Sequence, residues 1–306
     1  MNFSITILGS GAALPTKNRM PTAQYVNCNN RHFLIDCAEG TQLQLRKYKI
    51  NFQKLSHVFI SHLHGDHYFG LAGLLSTMNL LGREKELTIF GPPELETLLK
   101  PMLFYGGARL AFNLKFKSLN MMVKEMIYED DIVKVFSFPL VHKIPTSGFL
   151  IEEKPKPLKI NPSMIEAYNL KIEHFKDLQN GKDIILDSGE VCSFEKVTLK
   201  PKKLLSYAYC SDTKKSEKVA KAIYGATHLY HEATFLFKDQ KRANSTAHST
   251  TKDAADIAIQ ANINKLIVGH ISSRYKTNDD HEHEMLHFFA NSIVAKDGLC
   301  IDLTKE

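Results

Sequence analysis

Apolar and β-branched residues come in short, nearly continuous runs, and four of those runs stop on a side chain that can hold a metal ion. HVFISH stops at His62, VKVFSFPLVH at His142, KLLSYAYCSD at Asp212 and KLIVGH at His270. A strand that is apolar almost throughout is buried on both faces, as in layered α/β folds, where ligands collect at one edge of the sheet. The pattern predicts an α/β architecture whose chemistry sits at strand ends.

Between these strands the period changes from continuous to helical. Leu71, Leu74, Leu75, Met78 and Leu81 follow i, i+3, i+4, i+7 spacing and read as a core-facing stripe, with Gly82 as the stop. PPELETLLKPMLF starts on prolines, which the first helical turn tolerates. A third helix is expected from about Thr251 to Ala261, with Ser and Thr caps ahead of it and Ala254, Ala255, Ala258 and Ile259 as a narrow apolar face. A fourth covers roughly Asp280 to Asn291.

Residues 154–203 break this rhythm. They hold ten lysines and four prolines with few apolar runs, and read as an insertion projecting from the core. No fixed internal repeat is visible. The 306 residues would accommodate one large layered domain or two small ones; the reading is a single domain, 1–306, carrying the insertion.

Composition changes the picture little. With 43% hydrophobic and 24% charged residues the chain is an ordinary globular one, and a formal charge of +6 favours acidic partners only modestly. Cys28, Cys37, Cys192, Cys210 and Cys300 form no C-x-x-C pair and are odd in number, so neither a disulfide framework nor a thiolate zinc site is expected, and a reducing cytoplasm is. MNFSITILGSGAALP lacks a cationic leader region and is interrupted by Gly9 and Gly11, against a signal peptide. No run approaches the roughly 20 apolar residues that span a bilayer.

The concentrated chemistry lies in ISHLHGDHYFG, residues 60–70, with three histidines and an aspartate within six positions. In an extended chain His62 and His64 point the same way and can grip one ion. Gly65 lets the backbone turn, so Asp66 and His67 diverge towards a second position. Imidazole and carboxylate without thiolate suit zinc, with manganese or iron behind it. The strand-end residues His142, Asp212 and His270 supply further ligands, and the Asp212 carboxylate could bridge two ions. Such a pair can hydrolyse esters, amides or phosphodiesters. His32, His57, His174, His281 and His287 read as surface or hydrogen-bonded core residues.

The stretch ISHLHGDHYFGLAGLLSTMNLLGR resembles the metallo-β-lactamase superfamily, and the longer match resembles its ribonuclease Z branch, the tRNA 3′-processing endoribonucleases. LGSGAALPT, FLIDCAEGTQLQL, VHKIPTSGFLIEE, YCSDT, YHEATF, AHSTTKDAADIA and VGHISSRY carry that likeness along almost the whole chain. The resemblance implies a four-layer αββα sandwich with two zinc ions at one edge of the paired sheets. It implies His62, His64 and His142 on one ion, Asp66, His67 and His270 on the other, and Asp212 between them. Asp66 also resembles the residue that activates the attacking water, His248 the proton donor to the leaving oxygen, and Glu232 the residue holding the His248 ring. Arg274 in SSRY is expected on a phosphate, for which a guanidinium fork is suited, and Asp36 in a supporting place.

Further implications of the resemblance are a precursor tRNA substrate, a homodimer and an inserted arm that grips tRNA away from the cut. The arm here departs from the family in having no Gly-Pro pair. A small-molecule phosphodiesterase or ester hydrolase is the alternative that keeps the same site; a non-catalytic RNA-binding protein would keep only the fold. Gly9–Gly11 does not extend to G-x-G-x-x-G, because position 14 is Leu14; a tight turn beside the metal site is expected instead of a dinucleotide site.

Overall fold

The computed structural model describes residues 2–107 and 109–305, which fall into two compact units, the described residues up to 152 together with those from 205 onwards, and residues 153–204. The larger unit is built on two seven-stranded sheets. In the first, the spatial order is Cys300–Asp302, Phe3–Gly9, Ala23–Cys28, Arg31–Ile35, His57–Phe59, Leu87–Gly91 and Leu114–Ser118. In the second it is Ser292–Val294, Lys265–Gly269, His228–Glu232, Ser206–Cys210, Ser147–Glu153, Val133–Pro139 and Glu125–Glu129.

Three of the four runs noted above lie in parallel pairings. His57–Phe59 pairs parallel with both neighbours, as does Lys265–Gly269, while Ser206–Cys210 is parallel to His228–Glu232 and antiparallel to Ser147–Glu153. Their residues alternate between two cores, as the two-residue side-chain period requires. Tyr207, Tyr209 and Ile267 join Phe3, Ile5, Phe33, Phe59 and Phe149 in a core between the sheets. Ala208, Cys210, Leu266 and Val268 face the other way, onto the alanine-rich helix Thr251–Gln260. The outer face of the first sheet is covered by Leu71, Leu74, Leu75 and Met78 of the helix Leu71–Leu80 and by Leu95, Leu99 and Leu103 of the helix Leu95–Tyr105. The layers are therefore helix, sheet, sheet, helix, the expected αββα class.

Two packing details differ from the sequence pattern. Leu81 lies past the end of its helix and is 61% exposed. In the helix Thr251–Gln260 the buried isoleucine is Ile257, whereas Ile259 is 60% exposed; Ala254, Ile257, Ala258 and Ala261 make the i, i+3, i+4, i+7 stripe. Thr250 closes this helix with a capping box, its side chain accepting from Asp253 N while the Asp253 carboxylate accepts from Thr250 N.

The smaller unit has a core of its own. Leu170, Leu178, Ile184, Cys192 and Val197 are buried together, drawn from the helices Ile172–Gln179 and Phe194–Val197, the paired strands Ile184–Ile185 and Val191–Cys192, and the segment just ahead of the first of these helices.

Candidate metal centre

Every strand that feeds the site ends just before its ligand. His270 directly follows Gly269, Asp212 comes two residues after Cys210, and His62 and His142 each come three residues after Phe59 and Pro139. His64 is the extended residue ahead of the short helix Gly65–Tyr68, which carries Asp66 and His67. A Cβ at Gly65 would meet the Phe69 ring at 2.2 Å, so a side chain there would displace that exposed ring.

Asp212 joins two clusters. Its Oδ2 lies 3.5 Å from His62 Nε2 and 3.6 Å from His142 Nε2, and His64 Nδ1 lies 2.9 Å and 3.3 Å from those same two nitrogens. Its Oδ1 lies 3.2 Å from His67 Nε2 and 3.1 Å from His270 Nε2, and Asp66 Oδ2 lies 3.6 Å and 3.5 Å from these. Spacings of about 3 to 3.5 Å are those of ligands each about 2 Å from a common ion. His67 Nε2 and His270 Nε2 are buried and lack a hydrogen-bond partner, which a divalent cation would provide.

The opposite nitrogens are pinned, so the tautomers follow. His67 Nδ1 is 2.8 Å from Asp36 Oδ2, and His142 Nδ1 is 2.8 Å from the carbonyl of Ala247. Both partners only accept, so both Nδ1 atoms carry the proton and the Nε2 lone pairs face the clusters. Ser61 Oγ, which donates to Asp36 Oδ2 at 2.9 Å, receives His62 Nδ1 at 2.9 Å. Asp36 also accepts from Ser61 N and from Tyr209 OH. His64 is the exception and offers Nδ1 to its cluster. Hydrogen bonds of this kind behind metal-ligating imidazoles fix ring orientation and raise ligand basicity.

Electrostatics fit a cation as well. Burial lowers the pKa of His62 to about 4, against the pull of Asp212, so that ring stays neutral and its lone pair available. Burial opposes a charge on His67 too, but Asp212, Asp36 and Asp66 override it and raise that ring well above the ordinary histidine range. Three carboxylates converge there on a demand for positive charge. A divalent ion meets it more fully than a proton, and histidine with aspartate and no thiolate is a donor set for zinc.

Three of the residues that shape the site have left-handed backbones although none is glycine: Asp36 (φ 56°), Asp212 (φ 46°) and His270 (φ 56°). Such conformations cost of order 1–3 kcal/mol each and persist where the surrounding structure over-determines them. A fourth, Ala13 (φ 56°), forms a tight turn in which Leu14 N donates to the Ala12 carbonyl at 2.7 Å. The turn aims Ala13 N at Asp66 Oδ2, 2.8 Å away, and Gly11–Ala12 pairs with Ile271–Ser272 just after His270. The glycine motif near the N-terminus thus builds a turn against the site.

Glu232 and His248 stand beside the clusters. His248 Nδ1 is 2.8 Å from Glu232 Oε1, and the carboxylate, fully buried, accepts from Thr213 N, Ser249 N and Thr234 Oγ1. Burial disfavours a charged His248, yet Glu232, by charge and hydrogen bond, pushes its pKa up to about 9. The His248 ring lies 5.0 Å from that of His142 and 5.5 Å from that of His270. Arg274 is set further out. Its guanidinium lies over the Phe235 ring at 5.1 Å and 3.8 Å from Asp239, and Phe235 is 6.3 Å from the His248 ring. Sequence reasoning missed Ser61, Thr234, Tyr209, Ala13 N–H and the Ala247 carbonyl; a backbone group or a lone hydroxyl leaves no pattern of its own.

Known proteins place this arrangement. A family model described as anti-Pycsar protein Apyc1 matches residues 3–146. The ribonuclease Z of Bacteroides fragilis is 42% identical over 98% of this chain and 99% of its own, and that of Bacteroides thetaiotaomicron is 40% identical over 98% and 95%. Among solved structures, the short form of human tRNase Z superposes with a TM-score of 0.71 at 24% identity, covering 97% of this chain and 98% of its own. The metallo-β-lactamase fold protein YhfI of Bacillus subtilis superposes with a TM-score of 0.69 at 16% identity, covering 99% and 100%. The architecture is that of the metallo-β-lactamase fold, with histidine and aspartate clusters that could hold metal ions at the sheet edge. The relationship to the curated relatives goes beyond a shared fold: the chain belongs to the ribonuclease Z family, the tRNA 3′-processing endoribonucleases.

Proposed function

We propose that the chain removes the 3′ trailer of precursor tRNA with two zinc ions, one held by His62, His64 and His142, the other by Asp66, His67 and His270, with Asp212 shared. The observation that carries this reading is the division of the Asp212 carboxylate, one oxygen towards each cluster. Ions at these positions supply Lewis-acid charge and make water acidic enough to ionise near neutral pH.

The protein's own groups do the rest. Asp66, held through Oδ2 by Ala13 N, orients the attacking water and takes its proton. His248 is committed at Nδ1 to Glu232, so its transferable proton is the one on Nε2. A pKa of about 9 keeps that proton in place at neutral pH, ready for the ribose 3′ oxygen as the phosphorus–oxygen bond breaks. The products are a tRNA with a 3′ hydroxyl and a trailer with a 5′ phosphate. Arg274 steadies a phosphate of the bound RNA, and residues 154–203, with ten lysines against seven acidic residues, serve as the arm that holds tRNA away from the cut.

We place the enzyme in the cytoplasm, in line with its cysteines, which form no disulfide among the described residues, and as a homodimer, as the family resemblance implies; among the described residues no helix is long and apolar enough to cross a membrane. The decisive experiment incubates purified, metal-assayed protein with a precursor tRNA carrying a 3′ trailer and maps both new ends. A 3′ hydroxyl at the tRNA boundary is expected; no cut by zinc-loaded protein, or a 3′ phosphate, would overturn the reading.

A further inference from the structure

Thr234 is buried, 3% exposed, and its hydroxyl sits between two groups the mechanism treats separately. Thr234 Oγ1 is 2.5 Å from Glu232 Oε2 and 3.0 Å from His270 Nδ1. A hydroxyl has one proton to give, so the direction of each bond can be deduced. Glu232 already receives Thr213 N, Ser249 N and His248 Nδ1, and a carboxylate so surrounded by donors is ionised and only accepts. The threonine proton therefore points to Glu232, and Thr234 Oγ1 accepts from His270 Nδ1–H. That fixes His270 as the tautomer whose bare nitrogen is Nε2, the buried, unpartnered atom facing Asp66 and Asp212.

We infer that Thr234 is a positioning residue that ties the His270 ion position to the proton donor: one hydroxyl both selects the metal-binding tautomer of His270 and fixes the carboxylate that holds His248. This inference rests on the two-ion reading above. It predicts an asymmetry: loss of the hydroxyl weakens the ion shared by Asp66, His67 and His270 and leaves the ion at His62, His64 and His142 alone, because the pinning partners there are Ser61 and the Ala247 carbonyl. Loss of such a hydrogen bond behind a metal ligand weakens affinity or activity by roughly ten- to a hundredfold.

The test titrates zinc into metal-stripped Thr234→Val, Thr234→Ala, Thr234→Ser and unaltered protein against a chelating indicator, with His270→Ala marking which step belongs to the His270 position. Val and Ala are both made so that a folding defect in one, seen by circular dichroism, leaves the other to decide. The expected result is a tenfold or greater weakening of the His270 step only, restored by Ser. At saturating zinc, kcat on trailer RNA should fall further in Val and Ala than kcat on an aryl phosphodiester, whose leaving group needs no proton. The relay is overturned if Val and Ala take up both ions as the unaltered protein does, if both steps weaken alike, or if Ser fails to restore the step. Fewer than two ions on the unaltered protein would overturn the two-ion reading itself, and the relay with it.

Discussion

Glu232 Oε1 lies 2.8 Å from His248 Nδ1, and that pairing, against the opposing effect of burial, lifts His248 from 6.5 to about 9. A group whose folded pKa is raised acts as an acid up to that pKa. Turnover of trailer RNA should therefore hold through neutral pH and fall as pH rises through about 9, with the stabilisation from the pair fully present below pH 6.5 and lost over the same upper range. Glu232→Gln removes the negative charge and should move the alkaline limb of the kcat profile downward. A limb that stays at the same pH would show that another group sets it.

Replacing His248 with Ala should lower kcat on RNA by roughly 10²- to 10⁴-fold, the usual yield of a positioned general acid. Cleavage of an aryl diester should be nearly spared, since that leaving group departs unprotonated. Steady-state kinetics on both substrates give the comparison, and equal losses would remove His248 from the proton-donor role.

Asp66 should divide chemistry from binding. Asp66→Asn keeps the size and one oxygen for Ala13 N but cannot take a proton, so turnover should drop by roughly 10²- to 10⁴-fold while the dissociation constant for precursor tRNA, read by filter binding, stays close to that of the unaltered protein. Turnover undiminished in a zinc-loaded variant would exclude the role assigned to Asp66.

Tyr209 OH donates to Asp36 Oδ2 at 2.7 Å in a fully buried setting. Tyr209→Phe should destabilise the fold by about 1.5–3 kcal/mol, the range for a hydrogen bond to a charged group, measurable as a lower urea midpoint. It should also weaken zinc binding, since Asp36 holds His67 Nδ1. An unchanged midpoint and unchanged zinc affinity together would show that the bond carries neither load.

Removing residues 154–203 should be tolerated by the larger unit, because Ser147–Glu153 and Ser206–Cys210 are antiparallel neighbours with Glu152 opposite Ser206, close enough for a short turn to rejoin them. The shortened protein should lose at least about tenfold in kcat/KM on precursor tRNA, as expected when several lysine–phosphate contacts are lost, and keep its rate on a small diester. Equal loss on both would count against an RNA-holding arm.

Much of this was legible in the sequence for a physical reason. Buried strands must be apolar, so a ligand at a strand end appears as an abrupt polar stop, as at His62, His142, Asp212 and His270. Helical spacing found the stripe Leu71, Leu74, Leu75 and Met78 but could not say that Leu81 falls beyond the last turn, nor that Ile257 and not Ile259 faces inward. The core of residues 153–204 was hidden because Leu170, Leu178 and Val197 are scattered among lysines and acids with no sustained period. Hydroxyls and carbonyls that orient ligands, such as Thr234 and Ala247, act through geometry created by distant chain segments, and composition does not record them.

The left-handed corners at Asp212 and His270 set heat resistance against catalysis. Glycine would relax the backbone at both positions, whereas the working side chains hold it in a conformation they dislike. Asp36 is different, because its carboxylate is the acceptor for Ser61, His67 and Tyr209 and glycine would strand those buried donors. A library selected for thermal tolerance alone is thus free to drift towards glycine at the other two, and its hardiest survivors would be inert scaffolds. Anyone engineering a robust version should lock those two codons and seek gains elsewhere.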